Sequence, residues 1–171
     1  MGQINKNVFF ALLVILVLGT EKASSKENLI LGKFNLDSKD NFNNYLKELG
    51  VGFILRNLAG LADPDVTISR NCEDGKDEVL SSPSCTWNIQ TDTTFRSHSV
   101  SFKLDSKVND KTMDGREVTS VYKLFNDNTI IETQTGKDGK VTVLTRTFSP
   151  ADMTVDLVVN SVKAKSVFKR V

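Results

Sequence analysis

Arg146 is the residue with the clearest chemical implication, because it lies in a segment whose side chains alternate in polarity. If residues 140–148 are extended, Leu144, Arg146 and Phe148 share one face of a strand. When Leu144 and Phe148 face an apolar interior, Arg146 faces it too, and a buried guanidinium is costly unless an anion meets it. Its planar fork matches the two oxygens of a carboxylate. The pattern predicts a lone interior cation that binds an anionic head group, while Val143 leaves open the reverse orientation, with Arg146 at the surface.

Residues that would support catalysis or metal binding are few. The chain has a single histidine, His98, with no residue placed to orient it, and we expect it on the surface of a strand. No Gly-x-Ser-x-Gly motif, phosphate-binding glycine loop or paired-carboxylate motif occurs. Two cysteines and one distant histidine do not form a set of metal ligands. The sequence therefore predicts no enzyme activity, no cofactor and no metal site.

The charge balance argues against partners that are held by a strong electric field. Lys and Arg number 22 and Asp and Glu 21 among 171 residues, so we expect no nucleic acid partner. A chain of this length fits one domain that can bury a core or enclose a cavity.

Residues 1–25 have the features of a signal peptide. Lys6 supplies a positive charge before the apolar run 8–18, which is too short to span a bilayer comfortably. Small residues at Ala23 and Ser25 suit cleavage before Lys26. A buried N-terminal helix and an uncleaved anchor are the alternatives. We therefore predict a secreted protein whose mature domain is residues 26–171.

Two short helices are predicted between residues 41 and 64. The first has Ser38 or Asp40 as its N-cap and ends at Gly50. The second is ended by Gly60 and then Pro64. Neither is long enough to be stable alone, so both must lie on another layer of structure. Their one-sided apolar positions are Phe42, Tyr45, Leu46 and Leu49, then Ile54, Leu55, Leu58 and Leu61.

The remainder of the chain consists of short alternating segments separated by turn residues, which predicts strands. Asp114-Gly115 and Lys137-Asp138-Gly139 are typical of β-hairpin turns. One helical pair ahead of an otherwise all-β chain indicates a lid on a barrel. The ten predicted strands cover residues 30–37, 66–71, 87–91, 96–102, 107–112, 117–124, 129–134, 140–148, 153–160 and 162–170.

Three motifs near the start of this domain are Gly32-Lys33-Phe34-x-Leu36, Asn41-Phe42, and Val51-Gly52-Phe53 followed by Ala59-Gly60-Leu61-Ala62-x-Pro64. Through them the chain resembles the intracellular lipid-binding proteins, the fatty-acid-binding protein family, over residues 31–171. The resemblance implies a mainly all-β fold, a ten-stranded antiparallel up-and-down β-barrel capped by a helix-turn-helix lid. Common members are cytosolic, and this chain is more similar to the secreted nematode branch, whose members carry enlarged loops.

Relative to that family, residues 72–85 form an insertion between the second and third strands, where a tight turn is usual. Cys72 and Cys85 lie at the two feet of this loop, where antiparallel neighbours come within disulfide reach. In an oxidising compartment we expect a disulfide between them. Two free thiols are the alternative.

The resemblance also implies roles for polar residues inside the barrel. Arg146 matches the inward arginine that binds a fatty-acid carboxylate. Arg116 matches another inward arginine, which can contribute through water. Ser166 and Phe168 stand where many members have Arg-x-Tyr, so we expect a different head-group geometry and a broader selectivity.

The tail of such a ligand needs an apolar lining and an entrance. By resemblance, the lining consists of Phe42, Leu46, Val51, Leu55 and Ala59 on the helices and Leu144, Val155 and Leu157 on the strands. The residues implied at the entrance are Phe95, Met113 and Asp114. Each of these is otherwise an ordinary core or turn residue. We expect the helices to move away from the barrel mouth to admit the ligand.

These features predict a secreted, monomeric, non-covalent carrier of long-chain fatty acids. A carrier of retinoids or other apolar molecules is one alternative, and an extracellular structural or interaction protein that uses the inserted loop is another. A lipocalin in the narrow sense is not favoured, because its helix follows the barrel. Transient contact of the helical lid with a membrane is left open.

Overall fold

Ten strands and two helices make up the computed structural model, which describes residues 28–73 and 79–171. The predicted signal peptide and residues 74–78 of the inserted loop lie outside the described residues. The helices are α1 (Phe42–Glu48) and α2 (Phe53–Leu61). The strands are β1 (Gly32–Asp40), β2 (Asp65–Cys72), β3 (Cys85–Asp92), β4 (Ser97–Phe102), β5 (Lys107–Lys111), β6 (Glu117–Asn126), β7 (Thr129–Gly136), β8 (Val141–Phe148), β9 (Asp152–Val159) and β10 (Val162–Arg170).

Strands that follow one another in sequence pair antiparallel, except β4 and β5, and β1 also pairs with β10. The order across the sheet is β4-β3-β2-β1-β10-β9-β8-β7-β6-β5. This arrangement confirms the predicted ten-stranded up-and-down barrel. Predicted strand ends differ from the observed ones by up to three residues, and where a strand is longer than predicted, backbone pairing continues past the last alternating side chain. For example, β7 extends to Gly136, which pairs with Val118.

The two ends of the sheet, β4 and β5, meet through side chains, with no backbone ladder between them in the described ranges. His98 Nε2 lies 2.9 Å from Asp110 Oδ1 across this gap. The rings of Phe102 and Tyr122 stack with centroids 3.7 Å apart. The prediction that His98 lies on the surface is therefore wrong: its side chain is 20 % exposed and faces the interior, where Asp110 gives it a partner.

Alternation along the strands separates the inside of the barrel from the outside. In β9, Met153, Val155, Leu157 and Val159 are buried, and the residues between them are partly exposed. Two directly opposed residues in an antiparallel pair share a face. The inward face of each strand therefore follows from the register with its neighbours.

α1 begins differently from the prediction. β1 continues through Asp40, which pairs with Lys165, so neither Ser38 nor Asp40 is free to cap the helix. The N-cap is Asn41, whose φ of 55° lies in the left-handed region that asparagine tolerates. Its Nδ2 donates to the carbonyl of Lys163 at 2.6 Å. The chain therefore changes direction between β1 and α1 at Asn41 alone, because β1 occupies the positions before it.

The link between the helices follows the prediction, but the end of α2 does not. Gly50 has a φ of 81°, as expected of a glycine that ends a helix. Gly60 lies within α2, which runs to Leu61. Neither helix in the described part is both long and apolar enough to cross a membrane.

The predicted disulfide is present. Cys72 at the end of β2 and Cys85 at the start of β3 are directly opposed in the ladder and are bonded to each other. The inserted loop therefore starts and finishes at one covalent link.

Candidate functional site

A cavity of about 530 Å³ lies inside the barrel, beneath the two helices. All the residues predicted to bind ligand border it. From the helical region these are Phe42, Leu46, Val51, Leu55 and Ala59. From the turns near the entrance they are Phe95, Met113, Asp114 and Arg116. From the strands they are Leu144, Arg146, Val155, Leu157, Ser166 and Phe168. Their role in binding stays a prediction.

Arg146 points into the cavity, as its alternation with Leu144 and Phe148 predicts. Its side chain is 13 % exposed. Phe148, two residues further along β8, is buried against the ring of Phe34 at 5.6 Å. The orientation with Arg146 at the surface is therefore wrong.

The anion that Arg146 meets is Glu132 on β7, which the sequence analysis missed. The Glu132 side chain is 2 % exposed, and its Oε2 accepts a hydrogen bond from Arg146 Nη1 at 2.7 Å. Its Oε1 accepts hydrogen bonds from Tyr122 Oη at 2.9 Å and Gln134 Nε2 at 2.6 Å, with Ser120 Oγ at 3.4 Å. Arg146 is therefore not a lone cation, because a protein carboxylate already compensates it.

A signal for this pair exists in the register of the strands. Glu132 lies opposite Leu144, and Ile130 lies opposite Arg146, so Glu132 and Arg146 are diagonal neighbours on one face. The alternation of Ile130, Glu132 and Gln134 in β7 places all three on that face. Glu132 could have been predicted from the sequence only if the register between β7 and β8 had been known.

The ionisation of this cluster follows from its burial and its charges. Burial lowers the pKa of Arg146, but the adjacent Glu132 carboxylate together with Tyr122 and Tyr45 outweighs this effect, and the net pKa is raised. Burial, and then the Glu132 carboxylate, raise the pKa of Tyr122 well above its usual range. Arg146 therefore keeps its charge, and Tyr122 keeps the proton that it donates.

We expect Tyr122→Phe to lower the free energy of unfolding by about 1.5–3 kcal/mol, because it removes one donor from a buried carboxylate. The ring, which stacks on Phe102, is retained. Urea unfolding would measure the change. Tyr45→Phe is the matched control, because in the described part of the chain the Tyr45 hydroxyl bonds only the neutral Thr142 Oγ1, at 2.9 Å. This hydrogen bond should be worth about 1 kcal/mol. A smaller loss for Tyr122→Phe than for the control would contradict the role of Tyr122.

Arg116, the second arginine predicted to meet the ligand, also has a carboxylate partner. Its Nε lies 2.8 Å from Asp114 Oδ2 in the turn between β5 and β6, and Asp114 also contacts the Thr112 hydroxyl. The Arg116 side chain is 25 % exposed. Both arginines therefore enter any ligand complex with their charges already compensated.

Ser166 is near Arg146 but not adjacent to it. Val155 on β9 is the register partner of Arg146 on one side and of Ser166 on the other. The three residues form a row across three strands, so Ser166 lies about 10 Å from Arg146 along the inner wall. Both Ser166 and Phe168 are buried. A small hydroxyl therefore occupies the position where the family resemblance implies a second guanidinium.

The two helices are attached to the barrel to different extents. α1 buries Tyr45 and Leu46, whereas no residue of α2 is buried. Within the described residues, the polar ties from α2 to the barrel are hydrogen bonds from Lys39 Nζ to the carbonyls of Ala59 at 3.2 Å and Ala62 at 2.8 Å. α2 is thus the part of the lid that is held least firmly.

α2 and the turn between β3 and β4 carry large apolar side chains that are exposed. Phe53, Ile54 and Leu61 on α2 are 67 %, 75 % and 75 % exposed, and Phe95 in the turn between β3 and β4 is 65 % exposed. Leu55 and Ala59 on the same helix border the cavity. α2 therefore presents apolar groups both to the cavity and to the outside.

Comparison with known proteins gives a consistent result over the whole described barrel. A family model described as "Lipocalin / cytosolic fatty-acid binding protein family" matches residues 31–171. The adipocyte fatty acid-binding protein of Pygoscelis papua is 36 % identical over 140 residues, covering 82 % of this chain and 96 % of that protein. The fatty acid-binding protein of Tyrophagus putrescentiae is 34 % identical over 139 residues, covering 81 % and 95 %.

The same similarity is found among solved structures. The fatty acid binding protein of Schistosoma mansoni, in complex with arachidonic acid, superimposes with a TM-score of 0.73. The two sequences are 27 % identical, and the match covers 86 % of this chain and 97 % of that one.

Proposed function

Because this chain belongs to the lipocalin / cytosolic fatty-acid binding protein family, we propose that it is a non-covalent carrier of long-chain fatty acids. The observation that carries the proposal is the mostly apolar cavity with Arg146 in its wall. The names of the similar proteins support the same ligand class. We propose a carrier rather than an enzyme, acting as a monomer.

The tail supplies most of the affinity. Each buried CH₂ contributes about 0.8 kcal/mol, so a chain of about 16 carbons gives at most roughly 12 kcal/mol. Association and ordering of the chain take back at least about 4 kcal/mol. The remainder corresponds to micromolar binding or tighter. Apolar wall residues such as Leu144, Val155 and Leu157 support this role.

The head group would lie at Arg146. Within the described residues Arg146 makes no hydrogen bond besides the one to Glu132, so the N–H groups on Nη2 and Nε remain for a ligand. A charge-assisted hydrogen bond contributes about 1.5–3 kcal/mol, which is less than the tail contributes. Arg146 therefore decides the orientation of the ligand, and Arg116 would contribute through water.

Ligand entry would use the movement of α2. Its lack of buried residues and its two Lys39 hydrogen bonds support an opening beside Phe95. The exposed Phe53, Ile54 and Leu61 would be the groups that make a transient contact with a membrane during transfer.

Secretion is part of the proposal. The apolar run 8–18 with its flanking small residues supports a signal peptide over residues 1–25. The Cys72–Cys85 disulfide supports an oxidising compartment, because such bonds are rare in the cytosol. The mature domain would then be residues 26–171.

We expect Arg146→Gln to weaken palmitate binding by about 10-fold or more, because a charge-assisted contact is lost, with little change for hexadecanol. Displacement of a fluorescent fatty acid from delipidated protein would measure both affinities. Equal losses for the acid and the alcohol would contradict a charge-assisted contact between Arg146 and the fatty-acid carboxylate. Delipidated wild-type protein that takes up neither the probe nor palmitate would overturn the carrier function itself.

A further inference from the structure

Glu132 is the group in the cavity wall that the proposed function leaves without a role. Its buried carboxylate receives hydrogen bonds from the side chains of Ser120, Tyr122, Gln134 and Arg146. These donors come from β6, from β7 itself and from β8. Such a set of donors holds the carboxylate in one position, with its Oε2 against Nη1 of Arg146.

The first consequence concerns charge. Glu132 and Arg146 form an ion pair, so together they present no net charge to an entering ligand. A fatty-acid carboxylate that binds the remaining N–H groups of Arg146 adds a second negative charge next to Glu132. Asp114 compensates Arg116 in the same way, so that guanidinium offers no uncompensated charge either. The carboxylates of Glu132 and Asp114 therefore weaken the electrostatic attraction that the two arginines would otherwise exert on a fatty-acid carboxylate.

The second consequence concerns hydrogen bonding. A hydroxyl or amide head group accepts a hydrogen bond from Arg146 and brings no charge. Oε2 of Glu132 accepts only from Arg146 within the described residues, so one of its lone pairs is left for a ligand O–H or N–H. A neutral head group can thus both accept and donate at this pair, whereas a carboxylate can only accept.

We infer that Glu132 determines which head groups the cavity accepts. Because of Glu132, the cavity binds neutral long-chain lipids with a hydroxyl or amide head group as well as fatty acids. The inference rests on the proposed function for the position of the tail and of the head group. It makes Glu132 a specificity-determining residue. Arg146 orients the ligand, and Glu132 sets how much the site prefers an acid over a neutral lipid.

The test compares palmitate, hexadecanol and hexadecanamide by displacement of a fluorescent fatty acid, with the affinity of the probe measured separately for each variant. We expect wild-type protein to bind hexadecanol and hexadecanamide within about 10-fold of palmitate, a difference of about 1.4 kcal/mol. In Glu132→Gln the preference for palmitate should rise at least about 10-fold, because Arg146 then lacks a counterion.

Asp156→Asn is the matched control for net charge. Asp156 is half-exposed and faces outward on β9, where it pairs with Lys165 at 3.3 Å. This variant should leave the ratio of palmitate to hexadecanol affinity within about 2-fold of wild type, because an exposed pair has little influence elsewhere. An equal rise of this ratio in Glu132→Gln and Asp156→Asn would mean that the net charge of the protein, rather than Glu132, sets the preference for palmitate.

Two further outcomes keep the inference separate from the proposed function. Wild-type protein that binds palmitate more than about 100-fold tighter than both neutral lipids would overturn the inference and leave the fatty-acid carrier intact. This comparison needs no variant, so it decides the matter even when Glu132→Gln does not fold. Binding of none of the lipids would instead overturn the proposed function.

Discussion

Arg146→Gln is expected to destabilise the protein by about 3–5 kcal/mol, because it leaves the buried Glu132 carboxylate without its counterion. Tyr122 and Gln134 would still donate to Glu132, but neither carries a charge. Urea unfolding monitored by circular dichroism measures the loss. The reason for the size of the effect is burial: the Glu132 side chain is 2 % exposed, so its charge depends on the groups that contact it.

The double variant Arg146→Gln, Glu132→Gln tests this explanation. A neutral pair of the same size should recover most of the loss and lie within about 1 kcal/mol of wild type, because replacing a whole buried ion pair is often neutral. Lys165→Gln, which breaks the exposed pair with Asp156, should cost less than about 1 kcal/mol. A loss in Arg146→Gln as small as in this surface control would contradict the account of the ion pair. The double variant should then also be folded and suitable for binding measurements.

Replacing both Cys72 and Cys85 with serine is expected to lower the free energy of unfolding by about 3 kcal/mol. The disulfide closes a loop with a sequence separation of 13, and opening it restores conformational freedom to the unfolded chain. The corresponding decrease in Tm is roughly 6–12 °C. Calorimetry with and without a thiol reductant measures it: the reductant should lower the Tm of wild-type protein and leave the variant unchanged.

The same variant separates stability from binding. Neither cysteine borders the cavity, so palmitate affinity should stay within about 2-fold of wild type in the double serine variant. A Tm close to that of wild type would show that the pairing of β2 with β3 already restrains the loop. A large loss of affinity would show instead that the loop reaches the ligand.

The fold was predictable because its signals are local and repeated. Strands such as β9 alternate strictly between buried and partly exposed residues, and residues that form tight turns separate them. Gly50 marked the end of α1, because few other residues adopt its backbone conformation. The prediction failed at the start of α1, where the pairing of Asp40 with Lys165 prolongs β1 and leaves the reversal to Asn41. That pairing joins residues far apart in sequence, which no local pattern reveals.

By itself the sequence determined the barrel and the helical lid, since both depend on the period of a strand or helix and on the residues of turns. It favoured the disulfide and the inward direction of Arg146, but it left two free thiols and an outward Arg146 as alternatives. Only the tertiary structure decided what Arg146 meets. Glu132 becomes its partner because β7 and β8 pair with Ile130 opposite Arg146, which brings the two side chains together on the inner face. His98 likewise faces the interior because β4 and β5 meet there at Asp110. The charge of an interior site depends on which strands are neighbours, and strand neighbours are settled only when the whole sheet closes.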